Sequence, residues 1–247
     1  MPEVPQPELE DAASLPNIPL LDDAIAFDEV DYKAADYRPT WRGWIHAGTF
    51  PLAIVSGIVL IVLAQGAQAK IGSVIFTLTS LLLFGNSALY HRFAWKPKAK
   101  RLLKRIDHSN ILLLIAGTYT PLGLLALPSA EGSLLLSLVW AGAALGIGFR
   151  ILWIGAPRWL YVPLYLLLGF AALFYTGDIF EANPATMILV LVGGLFYTVG
   201  AIIYALKKPN PSPRHFGFHE IFHACTLLAF GCHWTGILLL AINPPVF

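Results

Sequence analysis

Acidic residues almost disappear after position 36. Of the 15 in the 247-residue chain, ten fall between Glu3 and Asp36, leaving only Asp107, Glu131, Asp178, Glu181 and Glu220 for the rest. Charge of either sign is scarce, at 13% of residues, about half what a soluble domain of this size carries. With 57% hydrophobic residues, that scarcity excludes an ordinary water-soluble globule and makes lipid the solvent of the chain. There are only two cysteines, Cys225 and Cys232, seven apart in one apolar run, so no disulfide framework is expected and both read as small packing residues. No basic segment leads into an apolar core at the start, so a signal peptide is not expected. No internal repeat is visible, and nothing points to a nucleic-acid partner.

What remains is a two-part chain. Residues 1–40 are rich in Pro, Asp and Glu and lack periodicity, so they read as an acidic, mostly disordered tail. Residues 41–247 read as an all-α membrane domain, a seven-transmembrane helix bundle. Apolar stretches of spanning length run at 46–64, 71–91, 107–127, 132–153, 159–177, 185–206 and 217–241. Lys96-Pro97-Lys98, Pro128, Asn183-Pro184 and Pro209-Asn210-Pro211 punctuate them, and Gly155-Ala156-Pro157 makes a tight turn between the fourth and fifth.

Orientation follows from the bases. If the N-terminus is cytosolic, fifteen of the sixteen lysines and arginines fall on the cytosolic side and only Lys70 on the other. This is the positive-inside pattern, and an odd number of spans is needed to keep it. Trp41, Trp44, Trp95 and Trp159 read as an interfacial belt.

On this map the chemically useful residues gather at one end. His91 closes the second span, with Ser87 one turn deeper on the same face. Asp107 and His108 open the third span, and His219 and His223 open the seventh. Two histidines four apart share a helix face and can reach one metal ion. Three histidines are the protein ligands of many catalytic zinc sites, and zinc in such a set lowers the pKa of water to about 7. A neighbouring aspartate can orient the water or move its proton.

Blander readings compete at each position. His219 and His223 can serve as interhelical hydrogen bonders, His91 as an interfacial histidine, Asp107 as a helix cap, and Ser87 as a small packing residue. His108, about 100° around the helix from Asp107, reads as a hydrogen bonder rather than a ligand. His46 and His215 read as interfacial. His233 is too far along its helix to share the metal and is expected to find a partner on a neighbouring span. Glu220 completes an H-E-x-x-H pattern, the signature of metalloproteases in which the glutamate is the base. Against that reading, the chain has no carboxylate after His223 to serve as a downstream ligand.

Four fragments, Ser87-Ala-Leu-Tyr-His91, Asp107-His108, Ala116-Gly-Thr-Tyr-Thr-Pro121 and Phe218-His-Glu-Ile-Phe-His223, resemble the signature of the bacterial hemolysin III family. That family is grouped with the progestin and adipoQ receptors. The resemblance runs over roughly residues 38–241 and implies a seven-helix protein of the bacterial plasma membrane with zinc near the cytosolic face. By that resemblance His91, His219 and His223 are the metal ligands, Asp107 stands beside the metal's water and Ser87 is the small polar residue near it. Related receptors and the alkaline ceramidases are regarded as membrane hydrolases of lipid amides. The implied function is zinc-dependent hydrolysis of a lipid amide or ester, with membrane lipids as partners and source of substrate. The alternatives are a membrane receptor or regulator with structural zinc, a membrane-lytic protein, and an intramembrane metalloprotease. The acidic tail has no counterpart in the family pattern.

Overall fold

The structure is a computed structural model that describes residues 39–245; the acidic tail lies outside the described residues except for its last two positions. All regular structure among them is helical. We number the helices α1 Trp44–Leu63, α2 Gly66–Arg92, α3 Pro97–Leu125, α4 Ser129–Leu152, α5 Arg158–Gly169, α6 Thr176–Ala182, α7 Pro184–Leu206 and α8 Phe218–Ile242. A 3₁₀ segment, Phe170–Tyr175, joins α5 to α6, so α5 to α6 make one crossing and the helices form seven spans. Intrahelical bonding satisfies the backbone within each span, as a lipid environment requires.

Six of the seven spans are long and apolar enough to cross a membrane on length and composition. The remaining one, α3, carries more polar residues because it is the central helix. Eight consecutive residues, Ala116 to Gly123, are buried, so α3 is enclosed on every side at that level. The outward faces of the other helices are apolar: Leu152 and Phe174 are 88% and 87% exposed, with Leu52, Val62, Leu145 and Leu195 among many others. Exposed apolar surface on this scale belongs against hydrocarbon, not water. The protein is an integral membrane protein.

Small residues and polar cross-links set the helix spacing. Gly132 of α4 lies so close to Gly123 of α3 that a Cβ there would run into the Gly123 carbonyl, the backbone approach that small residues permit in membrane bundles. Asn86 and Asn110 tie α2 to α3 by donating to the carbonyls of Leu103 (3.3 Å) and Leu82 (2.8 Å). Trp234 of α8 donates to Ser56 O of α1 at 3.1 Å.

Two helices differ from the reading of the sequence. α3 starts at Pro97, ten residues before the apolar run, because Pro97 occupies its first turn and the basic stretch Lys98–Arg105 continues the helix beyond the apolar part. The fifth span is broken. Tyr119 of α3 inserts its hydroxyl into the ladder, donating to Gly169 O (2.6 Å) and accepting from Ala172 N (2.7 Å), and the chain tightens into the 3₁₀ segment at that point. The other spans match their expected positions to within a few residues. Successive spans alternate in direction, so the described lysines and arginines other than Lys70 collect at one end of the bundle.

Candidate metal centre

The three histidines converge. His91 comes from the last turn of α2, and His219 and His223 from the first two turns of α8. Their potential ligand atoms all lie within 4.8 Å of one another. His91 Nε2 and His219 Nε2 are 3.3 Å apart. Two nitrogens on a tetrahedral zinc at 2.0–2.1 Å stand roughly 3.3–3.4 Å from each other. The donor type, number and spacing therefore fit a tetrahedral metal with three imidazole ligands. The rings meet one another edge-on, with centroids 4.6 to 5.2 Å apart, as three ligands facing a common point do.

Asp107 reaches the same group from α3. Its Oδ2 is 3.8 Å from His91 Nε2, and the hydroxyl of Ser87, 2% exposed one turn below His91, hydrogen-bonds its carboxyl. The Asp107 side chain is 15% exposed, against 9% for His91.

The approach of α1 completes the surroundings of His91. Gly43, just before α1, has φ 79°, and a Cβ there would lie 2.9 Å from His91 Cβ. Only glycine suits both the left-handed backbone and the close approach. Before it, Thr40 N and Trp41 N donate to the carbonyls of Arg214 and His215, stitching this segment to the loop that leads into α8.

The other candidates sort clearly. His108 turns away from the histidine group and its Nδ1 meets Lys104 O at 2.8 Å. His233 sits deep in α8 with Nε2 3.2 Å from Val190 O of α7. His215 stays exposed, beside Thr40 Oγ1 at 3.0 Å. Both oxygens of Glu220 are engaged away from the histidines. Oε1 pairs with Arg42, and Oε2 accepts from Gly217 N at 2.9 Å. That arrangement gives Glu220 the work of fixing the start of α8, which leaves the metalloprotease pattern without its base.

His46 corrects the reading of the sequence. It is 2% exposed, not interfacial, and its ring stacks on that of His223 with centroids 3.9 Å apart and planes 7° apart. The first turn of α1 packs against α8 at this level, so a residue two positions after the exposed Trp44 lies inside. The order Trp-Ile-His at a span boundary carries no sign of this.

Fold and site together define a polytopic α-helical membrane protein with a polar three-histidine group at its basic end. The profile of haemolysin-III related proteins matches residues 36–234. A hemolysin-3 homolog of Bacillus subtilis (strain 168) is 33% identical over 198 residues, 78% of this chain and 90% of that protein. Hemolysin-3 of Bacillus cereus is 33% identical over 161 residues, 64% of this chain and 73% of that protein. The chain belongs to the haemolysin-III related family and is an integral protein of the bacterial plasma membrane.

Proposed function

We propose that this protein binds one zinc ion through His91, His219 and His223 and hydrolyses a lipid amide or ester at the cytosolic face of the membrane. The observation that carries the proposal is the meeting of three imidazoles from two helices with a carboxylate from a third, at 3.8 Å from the nearest ring nitrogen. When bound, zinc supplies a Lewis acid that polarises a carbonyl and acidifies water. Asp107 holds the attacking water and accepts its proton, then returns it to the departing amine or alkoxide. Ser87 donates to the Asp107 carboxylate and fixes its rotamer. His46 stacks on His223 and keeps that ring in register.

A second reading is favoured by one feature. The three histidines join α2 to α8, so a metal there would also clamp the second span to the seventh, as in a receptor or regulator with structural zinc. Lipid extracts incubated with zinc-loaded and with metal-stripped protein, reconstituted in native lipid, separate the two readings. Zinc-dependent release of fatty acid, with the matching amine or alcohol, is the outcome expected. Unchanged lipid under every metal loading would leave the clamp.

A further inference from the structure

Arg150 has no role in the centre described above, yet it is the largest fully buried side chain among the described residues. It occupies the last turn of α4 and is 1% exposed. Neither Nε nor Nη1 has a hydrogen-bond partner. The ion pairs among the described residues join Arg42 to Glu220 and His91 to Asp107. Glu131, Asp178 and Glu181 belong to the opposite end of the bundle. What Arg150 does have is a ring face, with Cζ 4.2 Å from the Tyr161 centroid. Arg158 also stacks, on Tyr204 at 4.5 Å, but it is only half-buried and donates to the Tyr204 carbonyl. A ring face offsets only part of the desolvation of an unpaired guanidinium, and a charge inside a membrane bundle is normally paired or functional.

Its surroundings lead to the metal centre. The Tyr161 ring meets the His108 ring edge-on at 6.0 Å. The Tyr165 hydroxyl lies 3.5 Å from the carbonyl of His108, the residue after Asp107. Arg150 is thus one aromatic ring, Tyr161, from His108, the neighbour of Asp107 in α3. Beside it the outer surface is apolar, with Leu152, Trp153 and Trp159 all exposed.

We infer that Arg150 is the anion-binding element of a lipid subsite next to the histidine group, taking the oxyanion of an amphiphile whose chain lies in the bilayer. The oxyanion is a carboxylate or a phosphate. Guanidinium suits either, because it is weakly hydrated and offers several directed N–H donors. The apolar wall beside it suits the chain. The hydrolase reading explains why such a molecule would be there, since hydrolysis of a lipid amide or ester leaves a carboxylate; the binding itself needs no turnover.

The test is thermal unfolding of the purified full-length protein in mixed micelles, freed of native lipid, with oleate, phosphatidic acid, oleyl alcohol or inorganic phosphate added. Oleate and phosphatidic acid should stabilise the wild type in a concentration-dependent way, and oleyl alcohol should not. Arg150→Lys should weaken the oleate response at least tenfold. Arg150→Met should abolish it and, without ligand, be at least as stable as wild type, because an unpaired buried charge has gone. Equal oleate responses in wild type and both variants would overturn the inference, and so would equal stabilisation by inorganic phosphate. If Arg150→Met does not fold, the Arg150→Lys comparison decides. Repeating the titration in the His91→Ala, His219→Ala, His223→Ala background separates this subsite from the metal. An intact oleate response in zinc-loaded wild type that cleaves no lipid would sink the hydrolase reading alone.

Discussion

Asp107 and Glu220 are both acids at the basic end of this bundle, and their surroundings give them different work. Asp107 faces the histidine group, accepts a hydrogen bond from Ser87 and is partly exposed. Glu220 is closed in by Arg42 and the Gly217 amide. Asp107→Asn should therefore retain the metal while turnover falls on the order of 10²–10⁴-fold, the loss typical of a missing general base. Zinc content and lipid-hydrolysis rates measured on the same preparation check both halves. Glu220→Gln should leave activity per folded molecule nearly unchanged and lower stability by about 1–3 kcal/mol, since one partner of a largely buried pair is lost. An inactive but stable Glu220→Gln protein would point back to the metalloprotease arrangement. His46→Ala should weaken zinc binding by roughly 10–100-fold, as removal of a residue that supports a ligand does. His46→Phe, which keeps a ring against His223, should bind zinc nearly as well as wild type. Competition with a chelator of known affinity measures both.

At the scale of the helices, the chain states its spans openly and its packing hardly at all. Runs of apolar residues closed by Pro and Asn mark the crossings, and the lopsided distribution of bases fixes which ends share a side. Span order and charge alone therefore bring His91, Asp107, His219 and His223 to one end of the bundle. The break in the fifth span is not legible, because it depends on Tyr119, a residue fifty positions away, reaching Gly169 and Ala172. The burial of His46 and of Arg150 is equally silent, since a charged or polar residue near a span end looks the same whether it faces headgroups or the bundle interior. Tyr119→Phe isolates one such contact. The variant loses both bonds of the Tyr119 hydroxyl, at Gly169 O and Ala172 N, so stability should fall by about 1–3 kcal/mol. Hydrogen exchange should rise around Phe170–Tyr175 and leave α1 to α3 unaffected. Uniformly faster exchange throughout the protein would show that the hydroxyl has no local role.

For the whole molecule, the bundle gathers its described bases other than Lys70 and its histidine group at one end, the end that the positive-inside rule assigns to the cytosol. Single cysteines introduced near Lys98 and near Glu131, in a protein lacking Cys225 and Cys232, report the orientation. The Glu131 position should react with an impermeant reagent on intact cells and the Lys98 position only after lysis. The reverse pattern would invert the topology. The central claim, however, is that three histidines from two helices hold one zinc ion. Metal analysis of the protein purified from membranes tests it directly. Wild type and His233→Ala should each carry close to one zinc per chain, and the variant with His91, His219 and His223 all replaced by alanine should carry none. A triple variant that retained stoichiometric zinc would contradict the account.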